Sequence, residues 1–240
     1  MGISKNYDLT TNDRFRLEER GWLYGQPEEI RNAVLDSSVV MELERGESAI
    51  HLGGEDGGLF GLIEGWLDVL ISPGSMEPTL VHVATTGWWF GDSALLTHTP
   101  KRGAHVARTR CRIAHLPAEA AERIARDGFD IWRSIAYISV GVIDHTLAVI
   151  AANRCHDPLE RTKLTLCILL GEGLPFASGA PIEQPVLPIS QSEFAEIANL
   201  SRNSAGDALR ELAQMGAIHL GYREIKVLDL KALSSNYGSY

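Results

Sequence analysis

Cysteine is scarce in this 240-residue chain, and the three present, Cys111, Cys155 and Cys167, form no CxxC pair. That excludes a thioredoxin-like redox motif, and an iron–sulfur cluster needs about four clustered thiolates. Three free thiols in a reducing compartment are expected. The eight histidines are scattered without HxH or HExxH, so no metal site is expected. No nucleophile–base pair or acid pair suggests an enzyme. No run of about 18 apolar residues occurs, so no membrane span is expected. The start, MGISKNYDLT, lacks a basic-then-apolar leader, and Asn6 breaks the myristoylation pattern that Gly2 would begin. A cytoplasmic location is expected.

What is present is an acidic chain of ordinary composition, with net charge −9 and 45% hydrophobic residues. The acid is unevenly placed. From Pro188 onward five Lys and Arg face six Asp and Glu, whereas the first 187 residues hold 17 against 25. The last part is close to neutral, which permits binding to a polyanion.

Residues about 20 to 116 read as β-rich. Short apolar runs (VVMEL, LFGLI, LDVLI, LVHVA) are separated by glycine, proline and acidic residues, as expected of an antiparallel barrel or roll with tight turns. PAEAAERIARDG then reads as a short helix ended by Gly128. Residues 129–154, FDIWRSIAYISVGVIDHTLAVIAANR, read as one long helix. Ile135, Val142 and Val149 repeat at seven, as do Ala136, Ile143 and Ile150, the spacing of a helix that pairs with a helix. Ile131, Ile138 and Leu147 add a second apolar side. A helix apolar on two sides is covered twice: here by the β-rich part and by the same helix of a second subunit, or alternatively by the rest of one monomer. Asp157 before Pro158 caps a further helix with Leu159, Leu166 and Leu170 as its stripe, and HDP reads as a hinge. GLPFASGAPIEQPVLP is a linker or hairpin.

The stretch SQSEFAEIANLSRNSAGDALREL, residues 190–212, reads as two short helices around a corner. Ser190 and Glu193 form a capping box, Phe194, Ile197 and Ala198 an apolar face, and Ser201 the next cap. Ala205, Ala208, Leu209 and Leu212 fall at i, i+3, i+4 and i+7, so that face is buried. The opposite flank carries Arg202, Asn203, Asp207 and Arg210, with Gly206 among them. Arginine suits guanine, asparagine adenine, and aspartate the amino group of cytosine. Ser190, Ser201, Ser204 and the helix-start amides suit phosphates. GAIHLGYREIKVLDL then alternates as two strands around GYRE. Helix, corner, helix and two-stranded wing make a winged helix-turn-helix.

This stretch resembles the DNA-binding domain of the cyclic-AMP receptor and fumarate–nitrate regulator (Crp/Fnr) family. GLFGLIEGWLDVLI and GWWFGDSALLTHTPKRGAHV resemble that family's sensor. The resemblance covers residues 20 to 233. It implies an α+β protein: an antiparallel β-roll of jelly-roll type over residues 1–116, a connecting and dimerisation helix over 117–156, and a winged helix-turn-helix over 157–240. It further implies a homodimer joined through the 129–154 helix, a pseudo-palindromic double-stranded DNA site, and RNA polymerase as a further partner. The alternative is a signalling module with a degenerate pocket, whose winged helix binds protein. On the recognition helix the family commonly has Arg-Glu and a later Arg; here Arg202, Asn203 and Asp207 stand there, with Arg210 beyond. Asn203 favours an A·T pair where Glu would take cytosine.

In the sensor, the resemblance assigns Gly91, Asp92, Ser93, Ala94, Arg102, Gly103 and Thr146 to an effector site. A helix starting at Asp92 would turn amides toward a phosphate, Arg102 would clamp it, Asp92 would accept from a ribose hydroxyl, and Thr146 would lie near the base. Three positions depart from the family: Asp92 replaces Glu, Gly103 replaces a hydroxyl-bearing residue, and Leu147 replaces a polar one. A cyclic nucleotide, another small anion and no ligand at all remain as readings. The basic run KRGAHVARTRCR could alternatively be a solvated strand face or touch a partner's acidic surface.

Overall fold

The computed structural model describes residues 7–54, 57–72, 74, 77–172, 179–180 and 185–234. Residues 1–6 and 235–240, and all of the GLPFASGAPIEQPVLP segment except 179–180 and 185–188, lie outside the described residues. The chain divides into two units, Met1–Val142 with Pro175–Ala180, and Ile143–Leu174 with Pro181–Tyr240.

The first unit runs β1 (Tyr7–Asp8), α1 (Thr11–Glu18), a 3-10 turn (Leu23–Gly25), α2 (Glu28–Asp36), β2 (Val39–Leu43), β3 (Ser48–Ile50), β4 (Gly58–Glu64), β5 (Leu67–Ile71), β6 (Thr79–Ala84), β7 (Trp89–Phe90), α3 (Asp92–Thr97), β8 (Gly103–Ala107), β9 (Cys111–Pro117), α4 (Ala118–Arg126) and the start of α5 (Ile131–Asn153). Two antiparallel sheets form, ordered β1-β2-β9-β4-β7 and β3-β8-β5-β6. Strand β4 shows why LFGLI is apolar throughout. Successive side chains point to opposite faces, and both faces are covered. Leu59 and Ile63 enter a core shared with the helices, with Leu17, Trp22, Val34, Ile124 and Ile131. Phe60 and Leu62 enter a second core with Ile50, Val69, Phe90 and Ile113.

The N-terminal part corrects the β-rich expectation for residues 20–36, where the 3-10 turn and α2 stand instead. Helix α1 is closed by a capping box of Thr10 and Asp13. Asp13 also accepts from Arg112 of β9 at 2.8 Å. Although burial acts against it, bonds from Arg112 and Thr10 hold its carboxyl below the usual range. Arg110 and Arg112 both pair with Glu42, and Arg108 pairs with Asp68. Three arginines of the basic run are thus held by acids of their own unit.

Helix α5 also differs from expectation. Ile131, Ile135 and Ile138 are buried in the first core. Leu147, expected beside them, is 58% exposed, as are Val140, Ile143 and Ile150 at 50%, 57% and 52%. With half-buried Ala136, these residues fall at 136, 140, 143, 147 and 150, alternating steps of four and three. That is the spacing of a single coiled-coil seam. Ile135 leaves the heptad set because it lies on the roll side. Among the described residues, α5 is long and apolar enough to cross a membrane by length and composition, although polar residues such as Ser139, Asp144 and His145 interrupt its apolar run. Two apolar faces, one packed in the core and one a seam, account for that hydropathy.

The second unit holds the rest of α5, α6 (Pro158–Leu170), β10 (Val186–Leu187), α7 (Gln191–Ile197), α8 (Arg202–Gln214), β11 (Ile218–Gly221), β12 (Glu224–Val227) and α9 (Leu230–Ser234). Asp157 caps α6 by accepting from Leu159 N at 3.2 Å, followed by proline at its first turn. Helix α6 packs on α8 and α9, which explains why Leu166 to Leu170 are all buried. The wing gains a strand that its proline-flanked sequence concealed: β10 pairs with β12, Leu187 opposite Ile225. The three cysteines are free thiols, Cys111 and Cys167 buried.

Candidate functional site

The helix-turn-helix forms as its spacing dictates. Ser190 accepts from Glu193 N at 3.2 Å and Glu193 accepts from Ser190 N at 2.9 Å. Asn199 turns the corner at φ +50°, a conformation that asparagine tolerates better than most residues. Arg161 of α6 donates to the Asn199 carbonyl at 2.9 Å and to the Cys155 carbonyl at 2.9 Å. It therefore holds both the corner and the start of the hinge, a role its sequence position did not signal. Ser201 caps α8, accepting from Ser204 N at 3.1 Å.

Ala205, Ala208, Leu209 and Leu212 are buried. Arg202, Asn203, Asp207 and Arg210 are exposed. The side chains of Arg202 and Asn203 make no hydrogen bond or ion pair among the described residues, and Arg210 pairs with Asp207. Gly206 lies on the Arg210 side of α8 but is covered: an added Cβ would meet Arg210 Nη1 at 3.4 Å and Gln191 Oε1 at 3.8 Å. Gln191 at the start of α7 is thus a neighbour of the reading surface that the sequence did not reveal. The Ser190 hydroxyl is half-buried and donates to Glu193 at 2.6 Å; those of Ser201 and Ser204 share a 2.8 Å bond. At the wing, Tyr222 is 92% exposed, and Arg223 lies 3.8 Å from Glu193.

In the first unit, Gly91, Asp92, Ser93 and Ala94 form the turn into α3. Gly91 has φ +99°, and a Cβ there would lie 2.5 Å from the Gly58 carbonyl oxygen, so only glycine fits. Asp92 is buried, with 7% of its surface exposed. Its carboxylate accepts from the Ser139 hydroxyl of α5. Burial pushes its carboxyl above the usual range, although the Ser139 bond and the nearby amides of Asp92 and Ser93 act the other way.

Arg102 does not enter the roll. Gly103, His105 and Ala107 are the inward positions of β8, so by strand alternation the inward cation is Lys101 and Arg102 points out. Lys101 is buried, its Nζ 5.2 Å from the centre of the Phe60 ring; Arg102 is exposed. Gly103 is sealed, since a Cβ would meet Leu70 O at 2.9 Å and Ile71 Cδ1 at 2.8 Å. The hydroxyl-bearing residue of the family pattern has no room there. Thr146, in the second unit, is exposed on α5.

Between the sheets, four rings stack nearly parallel: His115 on Phe60 at 4.5 Å, Phe60 on Phe90 at 5.4 Å, and Phe90 on His105 at 4.0 Å. Burial, with Lys101 nearby, pushes the His105 imidazole down to about 3. An unfolded chain takes up this proton near 6.5, whereas the folded one does not until far lower. Stability from this group is therefore complete above about pH 6.5 and falls by about 1.4 kcal/mol per pH unit below it, toward pH 3. The first unit should melt at lower temperature at pH 5.5 than at pH 7.5. His105→Phe, which keeps the stack, should flatten that dependence; an unaltered slope in calorimetry assigns it to another group.

A β-roll with a cassette at α3, joined to a winged helix-turn-helix, defines a DNA-binding regulator with a sensor domain. Residues 40–127 match the model of the cyclic nucleotide-binding domain, and residues 165–235 that of the Crp-like helix-turn-helix domain, together more than half of the chain. The chain belongs to the Crp/Fnr family of transcription regulators. Solved structures share the fold. A regulatory protein from Silicibacter pomeroyi DSS-3 is 18% identical, with TM-score 0.67, covering 94% of this chain and 98% of its own. FixK2 from Bradyrhizobium japonicum is 15% identical, with TM-score 0.66 and coverages of 85% and 98%. CLP, a c-di-GMP-responsive global regulator from Xanthomonas campestris, is 19% identical, with TM-score 0.59 and coverages of 84% and 99%. No curated protein matches.

Proposed function

We propose that the protein acts as a homodimer joined along the exposed seam of α5, with its two α8 helices in successive major grooves of a pseudo-palindromic site about 34 Å apart. In this reading residues 1–116 form the sensor, 117–156 the connector and 157–240 the reader. A signal received at the roll reaches α5 and reorients the readers by favouring one of two arrangements. Arg202 and Asn203 read base edges, Arg210 does so once released from Asp207, and Ser201, Ser204 and the α8 amides hold phosphates. Ser190 supports them as the cap of α7. The site lies in the cytoplasm, and RNA polymerase is the expected neighbour of a promoter-bound dimer.

One observation carries the reading: α8 buries one face completely and leaves Arg202 and Asn203 exposed on the other, without partners among the described residues. Selection from random duplex DNA at moderate salt should enrich paired half-sites one helical turn apart. On the selected site, Arg202→Ala should cost about 1–3 kcal/mol and relax specificity at one base pair. No enriched motif would turn the winged helix into a protein-binding surface, and equal affinity of the Arg202 variant would remove α8 as the reader.

A further inference from the structure

The fold family implies a cyclic nucleotide at the cassette, and the residues there do not fit one. Recognition would need an acid open to a ribose hydroxyl, amides and a cation open to a phosphate, and space between the sheets. Asp92 instead accepts from Ser139 and is buried. Arg102 faces outward. Gly103 lies against the Leu70 carbonyl. His115, Phe60, Phe90 and His105 stack face to face from β9 through β4 and β7 to β8, with Phe60 and Phe90 in the second core.

We infer that Ser139 takes the place of a ligand hydroxyl at Asp92, so that the chain itself docks α3 on α5 and operator binding requires no cyclic nucleotide. The chemistry is specific. A buried carboxylate without a donor is expensive, and Ser139 supplies that donor from the part of α5 that also contributes Ile135 and Ile138 to the core. The shorter acid suits this use. Aspartate reaches Ser139 from its buried place at the start of α3. A second bond ties the same stretch of α5 to the roll: the Trp22 indole donates to the Ser134 carbonyl at 2.6 Å. Ser139 is therefore a positioning residue, and a signal acts here by separating Asp92 from it.

The inference rests on the DNA-binding reading for one of its two measurements. Full-length protein is titrated with its selected operator, with and without millimolar cyclic AMP or cyclic GMP. Affinity should stay within about twofold, and Ser139→Ala should lower it about tenfold, the effect of one charge-assisted hydrogen bond. Ser139→Thr, which keeps the hydroxyl, should restore it. Amide exchange over α3, measured without DNA, should accelerate in Ser139→Ala and not in Ser139→Thr, with exchange over β4 and β9 unchanged. A tenfold or greater stimulation by either nucleotide overturns the inference. So does Ser139→Ala with native exchange over α3. If no operator can be selected, the DNA-binding reading fails, while exchange over α3 still decides the role of Ser139.

Discussion

Leu147→Glu is expected to leave the protein monomeric and to weaken operator binding roughly 100-fold or more, because two linked half-sites gain that much over one. Leu147 is the fourth of the five positions Ala136, Val140, Ile143, Leu147 and Ile150 along the seam, where large apolar side chains are about half exposed. Steps of four and three keep these positions on one line of the helix, and a line of that kind is covered by a partner helix when two copies meet. A carboxylate on each copy at the seam would be buried beside its twin and repelled. The substitution touches no residue of the first-unit cores, so the sensor should keep its melting temperature. Light scattering with size exclusion reads the mass, and fluorescence anisotropy the affinity. A Leu147→Glu protein that remains dimeric at the same concentration would move the interface elsewhere.

Phe194→Ala should destabilise the DNA-binding unit by about 3–5 kcal/mol, the loss typical of a large, fully enclosed aromatic side chain. Phe194 is wholly buried, on a helix of only seven residues, Gln191–Ile197. Such a helix cannot hold itself in water; its capping box and this ring keep it against α8. For a unit of this size the loss should lower the melting transition by about 15 °C or more. The cores of the first unit contain no residue from this region, so one calorimetric transition should move while the other stays. A shift of only a few degrees would mean that α7 is held by something other than this ring.

The reading helix was legible because its determinants are local. Ser190 with Glu193, Ser201 with Ser204, and the apolar positions 205, 208, 209 and 212 all act within one or two helical turns. Helix α2 escaped notice because it is short, follows Pro27 and lies within a stretch rich in charge. The two apolar sides of α5 were visible as periodicity, but the division between them was not. Ile135 and Leu147 exchanged places because heptad arithmetic alone does not say which rotation of the helix meets the sheet. Arg102 looked like a phosphate clamp because a motif marks a position and not a direction. The alternation of Gly103, His105 and Ala107, had it been carried back two residues, would have pointed to Lys101.

The linear order of residues thus determined, by itself, α6, α7 and α8 with their caps, the β11–β12 hairpin of the wing, and the exposed arginine-bearing edge of α8, since each depends on neighbours a few positions apart. Folding in three dimensions decided what Asp92 binds, which cation enters the roll and which edge of α5 stays open. Those outcomes join residues from 15 to 112 positions apart: Asp92 to Ser139, Phe90 to His105 across two sheets, Trp22 to Ser134. They follow from strand register and from the helix rotation that buries Ile131, Ile135 and Ile138 together, and such pairings form only when the sheets close on one another.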